Sequence, residues 1–219
     1  MTIEEVNSCL PTMLRLSSEH YALIDRYLDE LLIWNRKINL TAIRQKKICW
    51  QKHIIDSLLL GEFIDSDSHL LDIGSGAGLP SIPLKIYYPQ LTVTSVDTVS
   101  KKIQFQKHCV RKLHLTDYQA LSTRIENLNN QSKQRYPYIT SRAFSSLSQF
   151  CQLSHDYLAQ NGVLVAMKGA DYKREIEEAT DILSKLNIEI VTIHERILQP
   201  LDEKRAFIVL SKSNQLTEC

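Results

Sequence analysis

The sequence predicts an α/β fold with a largely parallel sheet, preceded by a helical section. Seven short apolar runs follow one another from residue 69, and helix-like stretches separate most of them. A glycine-rich turn stands directly after the first run. The chain has 219 residues, 43% of them hydrophobic, so it can bury a substantial core and suits one domain with an appendage.

Two amphipathic stretches precede the sheet. Apolar residues repeat at helical spacing across residues 18–40 and again across 46–60, and Gly61 is the expected stop of the second helix. We therefore predict an N-terminal helical extension over residues 1–65, packed on a core domain over residues 66–219.

The seven strand candidates are the runs HLLDIG, LTVTSVD, YQALS, YPYITSRAF, GVLVAMKG, IEIVTIHERI and RAFIVLSK, which begin at residues 69, 91, 118, 136, 162, 188 and 205. The last two are joined by the short polar link LQPLDEK. Such a link allows antiparallel pairing and is too short for a parallel crossover. The sheet should therefore end in a hairpin-like pair, with an antiparallel last strand.

The turn LLDIGSGAGLPSIPL carries glycines at Gly74, Gly76 and Gly78, between the first strand and a helix. Glycine tolerates positive φ and lets the backbone approach a ligand, which favours a nucleotide-type cofactor; the alternative is a tight turn that binds nothing. The second strand ends on Asp97, where a carboxylate can accept hydrogen bonds from ribose hydroxyls. The alternative for Asp97 is a cap on the following helix.

Composition limits the class of protein. The acidic N-terminus MTIEEVNSCL is unlike a signal peptide, and no apolar run approaches the ~18 residues of a membrane span. We expect a cytoplasmic protein without a membrane partner. The five cysteines are scattered, with no C-x-x-C pair, which predicts reduced thiols and neither a disulfide framework nor a metal site.

Basic residues form two clusters on either side of the glycine turn. One lies in residues 33–57, where Asp56 is the only acid, and the other in residues 100–114, which contain no acid. Clustered bases can pair with RNA phosphates; the alternative is a solvated helix face. The RNA-binding candidates from these clusters are Arg36, Arg44, Lys46, Lys47, Lys101 and Lys102.

The G-x-G-x-G spacing after Asp72, followed by seven strand candidates with an antiparallel tail, resembles class I methyltransferases that use S-adenosylmethionine. Five motifs are similar, in order and spacing, to those of the RsmG family of 16S ribosomal RNA guanine-N7 methyltransferases, also known as glucose-inhibited division protein B. They are WNRKINLT at 34–41, HIIDS at 53–57, DIGSGAGLPSIPL at 72–84, SRAF at 141–144 and KG at 168–169.

The resemblance implies a Rossmann-like class I fold with a seven-stranded, mostly parallel sheet. It also implies a cytoplasmic enzyme with S-adenosylmethionine as cofactor. The implied partner is 16S ribosomal RNA, within the small ribosomal subunit or a precursor, and no stable protein partner is implied. Two alternatives stay open: a methyltransferase of this fold acting on a small molecule or protein, and a ribosome-assembly factor without catalysis.

Carried over to this sequence, the family's cofactor contacts fall on five residues, namely Gly74, Leu79, Ile125, Glu126 and Arg142. Ile125 and Leu79 would enclose the adenine, and Glu126 would accept from its amino group or from the adjoining backbone. Ile125 is alternatively ordinary core, and Glu126 a solvated acid. Ser81 stands where the family usually has glycine, which puts the tightness of the first helical turn in question.

No catalytic residue is assigned from the sequence. Arg142 is a substrate-positioning candidate, because its guanidinium can clamp a methionine carboxylate or an RNA phosphate; a plain ion pair is the alternative. Lys168 ends the fifth strand and could approach RNA or be merely solvated. His53 and Asp56 are predicted to form a structural link to the methyltransferase domain rather than an acid/base pair.

Overall fold

The computed structural model describes residues 1–130, 134–142, 146–199 and 201–213. Within them lies a seven-stranded sheet of order β3-β2-β1-β4-β5-β7-β6. Its strands are β1 His69–Ile73, β2 Thr92–Asp97, β3 Tyr118–Ser122, β4 Tyr136–Arg142, β5 Leu158–Lys168, β6 Ile188–Leu198 and β7 Glu203–Lys212. Strand β7 is antiparallel to both neighbours, and the other neighbouring strands are parallel.

The predicted α/β class and the antiparallel last strand are confirmed. The hairpin of β6 and β7 folds back so that β7 lies between β5 and β6. Strand β5 begins before its predicted start because Leu158 already pairs with Tyr136 of β4. Strand β4 is described to Arg142, and residues 143 and 144 of the predicted strand and SRAF motif lie outside the described residues.

The helices are α1 Ile3–Ser8, α2 Ser18–Asn35, α3 Lys46–Cys49, α4 Ile55–Leu59, α5 Ser81–Tyr87, α6 Ser100–Lys112, α7 Leu147–Ser154 and α8 Tyr172–Lys185. A π-helical segment, Trp50–Ile54, joins α3 to α4. Short 3-10 turns occur at Thr12–Leu14, Leu60–Phe63, Ile125–Asn130 and His155–Tyr157.

Helix α2 ends at Asn35, short of the predicted residue 40, because the Asn35 side chain organises the following loop. Its Oδ1 accepts from the backbone N–H groups of Leu40 and Thr41, at 2.9 and 3.1 Å. Its Nδ2 donates to the carbonyl oxygens of Thr41 and Ile43, at 2.8 and 3.3 Å. These bonds close residues 36–43 into a loop, which is the structural role of the WNRKINLT motif.

Gly61 does not end the second helical stretch, so this prediction is wrong. The α4 helix ends at Leu59 and continues as a 3-10 turn that contains Gly61. A Cβ on Gly61 would lie 3.1 Å from Leu14 Cδ2 and 3.2 Å from the Tyr88 ring. Glycine therefore serves here to let two elements pack closely.

Two apolar clusters cover the two faces of the sheet. Adjacent strand residues point to opposite faces, so Leu70 packs with the N-terminal helices, α5 and α6, while Leu71 packs with α7 and α8. The N-terminal helices thus share a core with the sheet, and the buried Tyr27 hydroxyl donates to the Ala77 carbonyl oxygen at 2.9 Å. The domain boundary at residue 65 remains a prediction.

Cys9, Cys49, Cys109 and Cys151 are free thiols, and Cys219 lies outside the described residues. None of the helices in the described part of the chain combines the length and apolar character that crossing a membrane requires. The described histidines, cysteines and acids also contain no group of three or more placed to hold a metal ion.

Candidate functional site

A cavity of about 340 Å³ opens at the carboxyl ends of β1 and β2 and beside the turn after β3. This is the edge of an open parallel sheet at which ligands usually bind. Its lining residues are Ile73, Gly74, Val96, Asp97, Thr98, Val99, Lys102, Thr123, Arg124, Ile125, Glu126, Gln149 and Leu153. We call it the first cavity.

The glycine turn forms one wall of the first cavity through Gly74. All three glycines have positive φ, at 69° for Gly74, 57° for Gly76 and 83° for Gly78. A Cβ on Gly78 would lie 2.4 Å from Ile82 Cδ1, so Gly78 also permits close packing of α5. Gly76 and Gly78 do not line the cavity and act by shaping the turn.

Gln106 of α6 fixes this turn by hydrogen bonds, and the sequence analysis did not single it out. Its Nε2 donates to Ser75 Oγ and to the Gly76 carbonyl oxygen, both at 2.8 Å. Its Oε1 accepts from Ser95 Oγ at 2.6 Å. Gln106 is fully buried on the apolar stripe that also carries Ile103 and Cys109. A polar residue at such a position was the sequence signal for this anchor.

Asp97 lies at the end of β2, as predicted, and lines the first cavity. Its Oδ2 accepts from the Gly76 N–H at 2.9 Å, and its Oδ1 accepts from the Val99 N–H at 2.8 Å. The carboxylate therefore fixes the glycine turn and the start of α6. A carboxylate offers about four lone-pair sites, so both oxygens retain acceptor capacity toward the cavity.

Ile125 and Glu126 begin the 3-10 turn after β3, and both line the first cavity. Ile125 belongs to the core as well and is only 5% exposed, while Glu126 is exposed. The Tyr157 hydroxyl donates to the Ile125 carbonyl oxygen at 2.5 Å and fixes this turn. Leu79 is different: it packs in the core cluster of the opposite sheet face and does not line the cavity.

The Asp72 carboxylate is fully buried beneath the glycine turn. Ser81 Oγ donates to its Oδ2 at 2.5 Å and also contacts the Tyr118 hydroxyl at 2.9 Å. Ser81, at the position where the family usually has glycine, thus has a hydrogen-bonded side chain. Helix α5 begins at this residue. Burial raises the pKa of Asp72 to about 7, because desolvation disfavours the charged carboxylate.

A second cavity, of about 280 Å³, lies at the carboxyl ends of β4 and β5 and beside the start of β7. Its lining residues are Ile43, Lys52, His53, Asp56, Arg142, Met167, Lys168, Gly169, Glu203 and Arg205. No residue among the described ones lines both cavities. Arg142, grouped with the cofactor contacts in the sequence analysis, lies in the second cavity.

Arg142 is bound by the N-terminal extension. Its Nη1 donates to His53 Nδ1 at 3.2 Å and to the Lys52 carbonyl oxygen at 3.4 Å, and lies 3.7 Å from Asp56 Oδ2. The predicted structural link is thus confirmed for His53, which is hydrogen-bonded to Arg142, whereas Asp56 contacts Arg142 as an ion pair too long for a hydrogen bond. Because arginine only donates, His53 Nδ1 accepts, and its Nε2–H donates to Thr41 Oγ1 at 2.8 Å. Burial lowers the pKa of His53 to about 3, and the Arg142 charge adds to the effect.

The basic candidates separate into paired and exposed residues. Lys46 Nζ lies 2.9 Å from Asp25 and 2.7 Å from Asp29 of α2, so its charge is neutralised within the protein. Lys168 is 8% exposed and pairs with Glu175 at 2.7 Å, so it is neither merely solvated nor freely accessible. Lys102 lines the first cavity. The exposed candidates are Arg36, Arg44, Lys47 and Lys101.

Comparison with known proteins identifies the family. The family model described as rRNA small subunit methyltransferase G matches residues 20–204. The chain belongs to this family. A ribosomal RNA small subunit methyltransferase G of Syntrophotalea carbinolica is 41% identical over 187 residues, which cover 85% of this chain and 86% of the relative. That of Geotalea uraniireducens is 40% identical over 199 residues, 91% of each chain.

Solved structures confirm the class I methyltransferase fold of this rRNA small subunit methyltransferase G family member. The fibrillarin of Aeropyrum pernix aligns with a TM-score of 0.55 at 13% identity, over 71% of this chain and 73% of its own. A TehB-like methyltransferase of Corynebacterium glutamicum aligns with a TM-score of 0.54 at 16% identity, over 72% and 87%. At these identities the likeness concerns the fold alone.

Proposed function

We propose that this chain transfers a methyl group from S-adenosylmethionine to N7 of a guanosine in 16S ribosomal RNA, carried in the cytoplasm by the small ribosomal subunit or a precursor. The observation that carries the proposal is the first cavity, bordered by Gly74 and Asp97, in a member of the rRNA small subunit methyltransferase G family. The relatives' names specify small-subunit rRNA. The fibrillarin structure holds natively bound S-adenosyl-L-methionine.

The residues of the first cavity fit this cofactor. Asp97 keeps acceptor capacity for two ribose hydroxyls while both of its oxygens are held by backbone amides. Ile125, Val99 and Leu153 supply apolar surface for an adenine ring, and Glu126 supplies an exposed acceptor beside it. Gly74 has no Cβ, so its backbone can approach a ligand in the cavity closely. The volume of about 340 Å³ lies within the ~300–1,000 Å³ typical of ligand sites.

Methyl transfer to guanine N7 places a limited demand on the protein. S-adenosylmethionine, when bound, supplies a methyl group on a positively charged sulfur. Guanine N7 presents a lone pair in the ring plane, so its attack requires no proton removal. The residues then have to bind, align the reactants and exclude water, and alignment alone can supply ~7–11 kcal/mol of the barrier. His53 fits this demand, since both ring nitrogens are engaged in structural hydrogen bonds.

The substrate side of the proposal is supported by position and charge. The second cavity lies at the same carboxyl edge of the sheet as the first and is lined by Arg142, Arg205, Lys52 and Lys168. Exposed Arg44 follows Ile43, another of its lining residues. A cavity lined by these cations favours a polyanionic substrate over a small neutral one.

The test is incubation of the purified protein with methyl-labelled S-adenosylmethionine and unmethylated small ribosomal subunits, followed by nucleoside mapping. We expect label in one 7-methylguanosine of 16S rRNA. Free 16S rRNA and precursor particles, assayed in parallel, identify the preferred substrate. At limiting S-adenosylmethionine, Asp97→Ala should reduce the labelling. Asp181→Ala, which replaces an exposed acid on α8, should retain it.

Three outcomes would contradict the proposal in whole or in part. Label that appears only in ribosomal protein or in a small molecule would support a different substrate for the same fold. Tight binding of S-adenosylmethionine without any transfer to RNA would support a non-catalytic ribosome-assembly factor. Label at a guanine atom other than N7 would retain the enzyme class and overturn the N7 assignment.

A further inference from the structure

The second cavity has a charge balance that the cofactor does not explain. Four cations, Lys52, Arg142, Lys168 and Arg205, line it against the two carboxylates of Asp56 and Glu203. The lining thus carries a net charge of +2, and +1 once Glu175, which pairs with Lys168, is included. Its histidine adds no charge because burial lowers the His53 pKa to about 3. A cavity with surplus positive charge fits an anionic ligand group.

Arg205 is the cation best placed to receive that group. It is the third residue of β7, and its side chain is 22% exposed within the cavity wall. Its Nη2 donates to Glu203 at 3.0 Å and its Nη1 to the Lys204 carbonyl oxygen at 3.0 Å, while Nε lies 3.4 Å from Asp56. A guanidinium has five N–H donors, so each terminal nitrogen keeps one for a ligand.

Asp56, from the N-terminal extension, forms an ion pair with Arg205. Its carboxylate, with a 5% exposed side chain, lies between Arg205 and Arg142, 3.4 Å from Arg205 Nε and 3.7 Å from Arg142 Nη1. One buried carboxylate thus faces two guanidinium groups. Shared in this way, it balances only one of the two positive charges and lies close to both guanidinium groups in the cavity lining.

We propose that the second cavity binds one phosphodiester of the substrate RNA through Arg205, and that Asp56 is the positioning residue that orients this guanidinium. The inference rests on the proposed function, since RNA is the substrate it assumes. Paired terminal N–H donors match two phosphate oxygens, which a lysine ammonium matches less well. The methionine carboxylate of the cofactor is a poorer match, because Arg205 belongs to β7 and lines the second cavity, not the first.

The experiment measures binding to unmethylated small ribosomal subunits in about 50 to 200 mM potassium chloride. The logarithm of the association constant falls linearly with the logarithm of salt concentration, by about 0.7 to 0.9 per phosphate contact. Arg205→Met should therefore reduce the steepness of this line by about 0.7 to 0.9 and weaken binding about tenfold. Arg205→Lys should keep the slope but still bind more weakly, since it cannot make the bidentate contact.

Arg196→Met is the matched control. Arg196 lies directly opposite Arg205 in the β6–β7 hairpin, but it pairs with Glu62 at 2.7 Å and lines neither cavity. Its removal should leave the salt dependence unchanged. An equal loss of slope in Arg196→Met, or a wild-type slope in Arg205→Met, would overturn the assignment of Arg205.

Asp56→Asn tests the positioning role, because charge and orientation predict opposite results. The substitution makes the cavity more positive, so a purely electrostatic role would tighten RNA binding. Loss of orientation at Arg205 would weaken it, which is the result expected here; tighter binding would overturn the positioning role. Thermal melting shows whether Asp56→Asn is folded. If it is not, the Arg205→Met and Arg205→Lys variants alone test the phosphate site.

Failure of this inference and failure of the proposed function give different results. Binding is measured without turnover, and calorimetric titration with S-adenosylmethionine should give wild-type affinity for Arg205→Met. A wild-type protein that labels 16S rRNA, combined with an unchanged slope in Arg205→Met, would leave the proposed function standing and remove only the phosphate site.

Discussion

At the scale of single residues, three aspartates beside the two cavities are held in three different ways. Asp97 accepts two backbone N–H groups, Asp72 accepts one hydroxyl in a fully buried position, and Asp56 faces two guanidinium groups. The site of Asp97 was predictable because it ends a strand next to a glycine turn. The surroundings of Asp56 were not, because Arg205 reaches it from the far end of the chain.

Replacing Asp97 should weaken cofactor binding and also reduce stability. Loss of hydrogen bonds to ribose would cost ~1.5–3 kcal/mol of binding free energy, about 10- to 150-fold in dissociation constant. Asp97→Ala also leaves the N–H groups of Gly76 and Val99 without their acceptor, so the melting temperature should fall. Calorimetric titration beside Asp181→Ala measures the first effect. Wild-type affinity in a folded Asp97→Ala protein would remove Asp97 from the ribose site.

Asp72 should make stability depend on pH. Its pKa is raised from 3.8 to about 7 in the folded protein, so the folded state binds the proton more tightly than the unfolded state. The stability that this proton contributes is fully present below about pH 4 and is lost as pH rises through 7. Asp72→Asn does not titrate, so its stability relative to wild type should increase with pH, with a slope approaching about 1.4 kcal/mol per unit.

Urea denaturation of the two proteins between pH 4 and 7.5 measures this difference. Asp181→Asn, at an exposed position, is the control. Its difference from wild type in the free energy of unfolding should stay constant across the same pH range. A flat difference for Asp72→Asn as well would show that the Asp72 carboxylate is ionised throughout and that burial does not govern its titration.

At the scale of elements, the sequence predicted the strands better than the N-terminal helices. Strand β3 has the bounds predicted for it, because alternating apolar residues between polar turns define a strand locally. The end of α2 depends on how one side chain, Asn35, bonds to the loop that follows. The π-helical segment at Trp50–Ile54 carries Lys52 and His53 to Arg142, and no local pattern predicts such a segment.

The loop and helix around Arg44 to Lys47 allow a prediction about RNA binding within one short segment. Arg44 and Lys47 are exposed, whereas Lys46 is paired with Asp25 and Asp29 of α2. The double variant Arg44→Ala, Lys47→Ala should therefore weaken RNA binding. The slope of log association constant against log salt concentration should become shallower by about 0.7 to 0.9 for each phosphate contact that is lost. Lys46→Ala should mainly reduce stability, by less than about 1 kcal/mol for partly exposed ion pairs.

Filter binding to small ribosomal subunits across a salt series compares the two variants, with calorimetry to verify that cofactor affinity is unchanged. If Lys46→Ala reduces the slope and the double variant does not, the paired lysine is the residue that binds RNA and the exposed residues are only a solvated surface.

At the scale of the whole molecule, the N-terminal extension and the β6–β7 hairpin frame the second cavity together. Lys52 pairs with Glu203, Asp56 with Arg205, and Glu62 with Arg196. The glycine turn and α6 shape the first cavity without using these links. The parallel sheet brings both cavities to one edge, where the carboxyl ends of β1, β2, β4 and β5 lie. Most of the cations that line the second cavity are held by ion pairs with residues far away in the sequence. The charge clusters in the sequence did not reveal these pairs.

This arrangement predicts that the chemical step needs no general base. Guanine N7 attacks without losing a proton, and the imidazole nearest Arg142 is neutral and hydrogen-bonded at both nitrogens. Single-turnover rates at saturating cofactor and small subunits should therefore change by less than about twofold between about pH 6 and 9, a range in which a general base with a pKa near neutrality would produce a titration. His53→Ala should lower stability or RNA binding and leave the shape of this profile unchanged. A saturated rate that rises log-linearly with pH, and that loses this rise when one side chain is replaced, would demonstrate a base and exclude N7 as the attacking atom.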